Sequence, residues 1–271
     1  MENEEVTYGS IKASGSELSY AKFGHGKDYF VLLPGLHSKS LMPFVPAVAK
    51  QYGKLLDSFT IYMFDRISNP PETYSIRDMA KDTISAIEEL KIKDAYVLGV
   101  SMGGMIAQTI AVERGDLVKK LAVCSTTPRM NENSLNVFGQ WKRLAQANQQ
   151  KELAQMLGKT IYTQDFYESY KDAIMESFAG ASESEIRRFI ICTQAILNFD
   201  ISSELEKIKV PVFVVAGAQD LIFTPDLADE IAEKTGGEKY IYPNYGHSAY
   251  DEAPDFLDRV WNFFKPTTSS F

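Results

Sequence analysis

The sequence alternates between short runs that are apolar throughout and longer segments with helical periodicity. Strands without a polar face are typical of a parallel sheet that is covered on both sides. Alternation of such strands with helices predicts βαβ units, and therefore an α/β fold with a mostly parallel sheet. The apolar runs lie within residues 29–33, 59–64, 95–99, 117–124, 210–215 and 239–242. The helical patterns cover residues 75–90, 102–114, 225–234 and 254–264.

The N-terminal region has a different pattern. Residues 6–11 and 18–23 are short β-type runs on either side of Ser14-Gly15-Ser16, which is typical of a hairpin turn. With the six apolar runs, these two bring the predicted sheet to eight strands. The helix at 75–90 is the clearest one, because Ser75 and Asp78 have the spacing of a capping box at its start.

Residues 127–198 interrupt the alternation. They contain several helical stretches and no convincing strand, and the alternation resumes at residue 210. An all-helical insertion between two strand segments predicts a cap packed on the sheet. We therefore divide the chain into a core, residues 1–126 and 199–271, and a helical cap, residues 127–198.

The charge balance limits the partners. The chain has 28 Lys and Arg against 36 Asp and Glu, a formal charge of −8, which disfavours binding to nucleic acid or to anionic membranes. No run approaches the roughly 18 apolar residues of a membrane helix, and residues 1–5 lack the basic and apolar pattern of a secretory signal. Cys124 and Cys192 are isolated and fit a reducing compartment. We expect a cytoplasmic protein that acts on a small molecule, as a monomer or a homodimer.

The motif Gly99-Val100-Ser101-Met102-Gly103 is the strongest candidate for a nucleophile. It follows an apolar run and opens a helical pattern, which is the strand–turn–helix setting of a nucleophile elbow. The glycines leave room for the crowded turn, and the helix N-terminus favours a negative charge beside the serine. A plain strand-to-helix turn with a capping serine is the alternative interpretation.

A serine hydroxyl needs a base to remove its proton, and the chain offers only His25, His37 and His247. His25 lies between glycines in an early loop, and His37 lies just after the strand at 29–33. His247 follows the last strand, where the ends of parallel strands open onto a ligand crevice, so we predict that it is the base. The three histidines are too scattered for a metal site, and no cofactor is predicted.

Asp220 is the predicted third member of the triad. It follows the strand at 210–215 and precedes His247, the acid-before-histidine order of this kind of sheet. Asp226 comes at the start of the next helical pattern, where a helix-end role is the simpler interpretation. Asp251 and Glu252 come just before the pattern at 254–264, and we expect a similar helix-end role for them.

At this point the sequence resembles the α/β-hydrolase superfamily, in its serine-nucleophile, capped, esterase- and lipase-like branch. The resemblance spans nearly the whole chain. It implies that the backbone N–H groups of Leu36 and Met102 form the oxyanion hole and that residues 127–198 are the cap. The motifs that carry it are Leu33-Pro34-Gly35-Leu36, residues 74–79, the elbow at 99–104, Gly217-Ala218-Gln219-Asp220 and Gly246-His247.

Two segments depart from the pattern of relatives. Pro34 stands where many relatives have a histidine, and residues 65–71 replace a glycine-rich stretch that relatives often carry after the fourth strand. Both departures concern the substrate side of the site and leave the predicted triad intact.

The predicted activity is hydrolysis of a small apolar or aromatic ester through an acyl-enzyme. The cap is rich in apolar side chains, most of which serve packing, and we name Trp141 and Phe166, together with His37, as candidates for lining the substrate site. The same triad also serves hydrolysis of C–C, lactone and thioester bonds and cofactor-free perhydrolysis. A ligand receptor on a hydrolase scaffold is the alternative from another class.

Overall fold

One sheet of eight strands organises residues 5–265, the part of the chain that the computed structural model describes. Residues 1–4 of the acidic N-terminal segment and residues 266–271 of the predicted core lie outside the described residues. The strand order across the sheet is β1-β2-β4-β3-β5-β6-β7-β8. The strands are β1 Thr7–Ala13, β2 Ser16–Phe23, β3 Asp28–Leu33, β4 Phe59–Ile67, β5 Ala95–Val100, β6 Val118–Cys124, β7 Val212–Gly217 and β8 Glu238–Tyr242.

The strands from β4 to β8 are parallel, and β2 alone runs in the opposite direction, so that it pairs antiparallel with both β1 and β4. This confirms the predicted eight-stranded, mostly parallel α/β architecture. The expected end of the fourth strand at Phe64 was wrong, because β4 continues through Asp65 and Arg66 to Ile67. A register shift in β2 lets this extension keep its pairing, with Leu18 opposite Ile67.

Both faces of the sheet are buried, which explains why the strands are apolar throughout. Val31 and Leu33 of β3 pack into a core on one face, while Phe30 and Leu32 pack into a second core on the other. Successive side chains of a strand point to opposite faces, so a sheet covered on both sides requires apolar residues at every position.

Helices cover the two faces and the carboxyl edge of the sheet. Ser75 and Asp78 form the predicted capping box at the start of the second helix. The helices are α1 Val45–Gln51, α2 Ile76–Glu89, α3 Met102–Glu113, α4 Glu132–Gln146, α5 Gln150–Ile161, α6 Gln164–Phe178, α7 Glu183–Leu197, α8 Pro225–Thr235, α9 Ala249–Glu252 and α10 Phe256–Phe264. None of them is long and apolar enough to cross a membrane.

The helix predicted at 254–264 starts at Phe256 in the structure. Ala253 has extended backbone angles, φ −79° and ψ 119°, because the proline that follows it disfavours helical geometry at the preceding residue. The final helix therefore starts at Phe256, and a separate short helix, α9, contains Asp251 and Glu252. Both acids lie in the first turn of α9 and precede the final helix, as expected for helix-end residues.

The helices α4 to α7 form an insertion between β6 and β7. Its two ends lie side by side, since Arg129 and Asp200 form an isolated antiparallel bridge. Its middle contacts the loops at the carboxyl edge of the sheet: the Ser248 N–H donates to the Ile161 carbonyl at 2.9 Å, and the Ser38 hydroxyl donates to the Phe178 carbonyl at 2.9 Å.

Candidate active site

Ser101 occupies a sharp turn between β5 and α3. Its φ of 52° and ψ of −119° are strained for a residue with a side chain, and such strain is concentrated at functional sites. A Cβ on Gly99 would lie 2.4 Å from the Gly103 carbonyl oxygen, and a Cβ on Gly103 would lie 1.9 Å from the Leu33 carbonyl oxygen. Only glycine fits at these two positions, which gives the motif its physical reason.

Backbone hydrogen bonds hold the strained turn. The Ser101 N–H donates to the Cys124 carbonyl at 2.9 Å, and the Ser101 carbonyl accepts from the Gly104 N–H at 2.9 Å. The Thr126 hydroxyl donates to the same carbonyl at 2.7 Å. Sequence reasoning did not single out Thr126, because its contribution depends on β6 lying beside β5.

His247 lies between Ser101 and Asp220 and bonds to both. Its Nε2 is 3.0 Å from the Ser101 Oγ, and its Nδ1 is 2.8 Å from the Asp220 Oδ2. The three side chains come from loops after three different strands and are buried, with relative exposures of 6%, 3% and 6% for Ser101, His247 and Asp220. The geometry is that of a nucleophile, a base and an orienting acid.

The Asp220 carboxylate is held in place by backbone N–H groups of the residues that follow it in the loop. Its Oδ1 accepts from the N–H groups of Ile222 at 2.7 Å and Phe223 at 3.0 Å, which leaves Oδ2 for His247. An ionised carboxylate only accepts, so Nδ1 must carry the hydrogen and Nε2 faces the serine with a free lone pair. Asp226, the rival acid, lies in the first turn of α8, as expected for a helix-end residue.

Leu36 and Met102 lie on either side of Ser101. The loop that carries Leu36 passes close to the serine, since a Cβ on Gly35 would be 3.3 Å from the Ser101 Cβ. Within residues 5–265, neither the Leu36 nor the Met102 N–H donates to another protein atom. Both groups are therefore free to bind an oxygen of a ligand.

The loop of Leu36 separates two cavities. The wide cavity, of about 290 Å³, is mainly apolar and is lined from the sheet by Leu32 and Val100 and from the insertion by Ile161 and Phe178. The narrow cavity, of about 10 Å³, lies beside Leu36 and Met102 and is bordered by Arg66 and Arg188.

His37, one of the three candidates for lining the substrate site, lines the wide cavity. Its ring stacks on Phe178 at 4.6 Å between centroids, and its Nδ1 accepts from the Lys39 N–H at 3.2 Å. Burial, with the Lys39 charge, lowers the pKa of His37 to about 4, so this histidine is neutral at physiological pH. His25, by contrast, is an exposed loop residue 3.1 Å from the Asp57 carboxylate.

Trp141 and Phe166, the other two predicted lining residues, are not among the residues that border the wide or the narrow cavity. Trp141 lies on the inner face of α4, almost fully buried, and its ring contacts the edge of Phe138 at 4.8 Å. Phe166 is half-buried and stacks on Tyr162 at 5.2 Å. In both cases the large apolar area is used in packing between helices.

The wide cavity also contains a carboxyl group that the sequence analysis assigned to a helix end. Asp251 lines this cavity, and its side chain is exposed there. Desolvation by the protein around the cavity, with the neighbouring charge of Glu252, raises the pKa of Asp251 to about 7. Glu252 instead joins the insertion to α9 by accepting from the Thr163 N–H at 3.0 Å.

Comparison with known proteins agrees with this architecture. Residues 30–254 match the sequence model of the family described as "alpha/beta hydrolase fold", and the chain belongs to that family. The chain is similar to 3-oxoadipate enol-lactonase 2 of Acinetobacter baylyi, with 24% identity over 79% of this chain and 80% of that protein.

Solved structures share the fold over nearly the whole chain. The enol-lactonase of Burkholderia xenovorans LB400 superposes with a TM-score of 0.83 and 25% identity, over 94% of this chain and 99% of that one. MGS-M2, an α/β-hydrolase enzyme from a Medee basin deep-sea metagenome library, superposes with a TM-score of 0.86 and 20% identity, over 97% of this chain and 99% of that one.

Proposed function

We propose that the chain is a serine hydrolase that cleaves ester-like bonds, including lactones, through an acyl-enzyme on Ser101. The observation that carries the proposal is His247, whose ring bridges the Ser101 hydroxyl at 3.0 Å and the Asp220 carboxylate at 2.8 Å. This arrangement converts a poor nucleophile into a good one, because the base accepts the proton as the oxygen attacks.

In the acylation step, the Ser101 Oγ forms a bond to the substrate carbonyl carbon while its proton passes to the His247 Nε2. The N–H groups of Leu36 and Met102 donate to the oxyanion, and each such donor is typically worth about 3 kcal/mol of transition-state stabilisation. The protonated His247 then donates to the leaving oxygen as the carbon–oxygen bond breaks. Asp220 remains ionised throughout and stabilises the imidazolium.

In the deacylation step, water attacks the acyl carbon and passes its proton to the His247 Nε2. The second tetrahedral intermediate collapses, His247 returns the proton to the Ser101 oxygen, and the carboxylic acid leaves. The cycle consumes one water for each bond cleaved, and all groups that transfer protons belong to the buried triad.

The wide cavity supports a small apolar or aromatic acyl group. Its walls include Leu32, Val100 and Phe178, and its volume of about 290 Å³ lies near the lower end of small-molecule sites. The similarity to two enol-lactonases supports lactones as well as open esters. We further propose that residues 127–198 act as a cap that sets substrate choice, since Ile161 and Phe178 reach this cavity from the insertion.

The proposal is tested by turnover of p-nitrophenyl esters of increasing acyl length and of simple lactones. We expect activity with short acyl groups and a loss of at least about 10⁴-fold in kcat for Ser101→Ala. Absence of turnover across the panel in a folded protein would favour a ligand receptor on this scaffold. Full activity of Ser101→Ala would place the nucleophile elsewhere.

A further inference from the structure

Arg188 is a buried cation without a partner. It is only 7% exposed, yet within residues 5–265 no carboxylate lies within ion-pair distance of it and no side-chain or backbone oxygen accepts from it. It lies on the apolar face of α7, in line with the buried Ile191, Cys192 and Ala195. Its guanidinium nitrogens are not fully enclosed, and Arg188 borders the narrow cavity, so a ligand that enters this cavity can pair with the charge.

The neighbouring Arg187 shows what an arginine on this helix does when its role is structural. Its guanidinium extends over the surface, where it donates to the Glu72 carboxylate at 2.6 Å and to the Asn69 side chain at 3.1 Å. The two adjacent arginines therefore differ in both burial and pairing. Arg187 is satisfied by protein groups, and Arg188 is not.

Arg188 borders the narrow cavity beside Leu36 and Met102, the residues with free N–H groups next to Ser101. The volume of about 10 Å³ is close to that of a single water-sized probe, which is room for an oxygen atom of a bound group and too little for an extended chain. A group bound there would lie on the opposite side of the Leu36 loop from the wide cavity.

The groups around the narrow cavity make it cationic. Arg66, Arg188 and Lys39 border it with positive charges, Asp65 contributes one negative charge, and His37 is neutral. Asp65 is already bonded on both oxygens, to the Ser40 hydroxyl at 2.5 Å and to the Arg66 backbone N–H at 2.7 Å.

Arg66 also keeps unused hydrogen-bonding capacity. It donates to the Pro34 carbonyl, and its Nε has no acceptor among the described residues. Two guanidinium groups beside one occupied carboxylate leave a surplus of buried positive charge and of unused donors.

We propose that Arg188 binds a carboxylate on the substrate, so that the enzyme prefers esters or lactones whose scaffold carries a second, anionic group. This inference rests on the proposed hydrolase function for its choice of substrate. A guanidinium N–H that donates to a carboxylate oxygen makes a charge-assisted hydrogen bond, which would stabilise the charge of Arg188 and orient the scissile carbonyl toward Ser101.

The test compares monomethyl hemiesters of dicarboxylic acids with neutral methyl esters of the same chain length. The wild type should show a higher kcat/KM for one member of the hemiester series than for its neutral partner. Arg188→Met should lower the ratio of hemiester to neutral-ester kcat/KM by about 100-fold, mainly through KM, in line with hydrogen bonds to charged groups. Arg188→Lys should retain part of the preference, and the matched control Arg187→Met should retain all of it.

Measurements of thermal stability distinguish carboxylate binding by Arg188 from a purely structural role of this residue. Removing an unpaired buried charge should leave the Tm of Arg188→Met unchanged or raise it. A lower Tm together with equal losses on both substrate series would make Arg188 structural and overturn the proposal. The absence of any hemiester preference in the wild type would overturn it as well.

A binding measurement distinguishes failure of this inference from failure of the hydrolase function. Titration calorimetry of the Ser101→Ala protein with the hemiesters needs no turnover. Binding that is lost in Ser101→Ala/Arg188→Met but kept in Ser101→Ala/Arg187→Met would support the anion site even if the reaction differs from ester hydrolysis. Equal binding by both double variants would overturn it even if ester hydrolysis is confirmed.

Discussion

The loops at the carboxyl edge of the sheet and the helices inserted between β6 and β7 contribute different things to the candidate site. The loops supply Ser101, Asp220 and His247, which are hydrogen-bonded to one another and held by backbone amides. The insertion supplies cavity walls and one unpaired charge, through Ile161, Phe178 and Arg188. In our proposal, the loops of the sheet carry out the reaction and the insertion selects the substrate.

The largest effect should come from the loops. Asp220→Asn keeps the size of the side chain but removes the charge, and its amide can donate to His247 and hold the wrong tautomer. We expect kcat to fall by about 10⁴-fold with little change in KM, the loss typical of this substitution in a serine triad. Steady-state kinetics on the best ester of the panel provides the measurement.

Asp226→Asn is the matched control, since Asp226 lies in the first turn of α8 and bonds to no member of the triad. Its kcat should fall by well under about tenfold, as expected for the loss of a helix-end charge. If Asp226→Asn were inactive while Asp220→Asn kept its activity, the acid would be misassigned.

Changes in the insertion should alter selectivity more than rate. Phe178→Ala enlarges the wide cavity and should shift the preferred acyl length upward, with about a tenfold change in relative kcat/KM per added methylene. Phe166→Ala removes a residue that does not itself border this cavity, although it stacks on Tyr162, which does. It should lower the Tm and leave the acyl-length profile in place. Identical profiles for the wild type and Phe178→Ala would show that the insertion does not set substrate choice.

The carboxyl of Asp251, in the wide cavity, should make stability depend on pH. Its pKa is about 7 in the folded protein, raised by desolvation and by Glu252, against about 3.9 in an unfolded chain. Between these values the folded state holds a proton that the unfolded state has released, so Asp251 costs stability as the pH rises from about 4 to 7. Above about pH 7 the cost is complete.

Asp251→Asn removes this titration. The variant should exceed the wild type in Tm by more at pH 8 than at pH 5, as measured by calorimetry in matched buffers. The same Tm difference at both pH values would mean that Asp251 is ionised in the folded protein throughout this range.

The smallest effect concerns His37. Because its pKa is lowered to about 4, it stays neutral between about pH 5 and 9 and changes charge nowhere in that range. His37→Asn should therefore leave the shape of the pH profile of kcat/KM unchanged, although the loss of its stacking on Phe178 can shift the absolute values. A limb of the profile that disappears in this variant would show that His37 takes part in proton transfer.

The difference between the loops at the carboxyl edge and the inserted helices also explains which features the sequence could predict. The elbow and the two loops could be located because the chemistry requires fixed residue types just after strands, and strand periodicity is visible in one dimension. Thr126 and Asp251 were missed because their positions depend on which strands and helices lie side by side. Trp141 and Phe166 were singled out for their apolar area, which in the structure serves packing.

Arg188 carried a signal that sequence reasoning did not use. It occurs on the same helical stripe as Ile191, Cys192 and Ala195, so the periodicity alone places a charge on an apolar face. Such a position is informative because arginine is seldom buried without a partner. The adjacent Arg187 falls outside that stripe and is half-buried.

The most direct test of Ser101 as the nucleophile is mass-spectrometric mapping of the site labelled by a fluorophosphonate probe. The probe reacts with activated serines, so the native protein should carry one adduct, on the peptide that contains Ser101. Prior denaturation should abolish the adduct, because the strained turn and the hydrogen bond to His247 exist only in the folded protein. Ser101→Ala should carry no adduct. An adduct on another residue, or full labelling of Ser101→Ala, would contradict the assignment of Ser101 as the nucleophile.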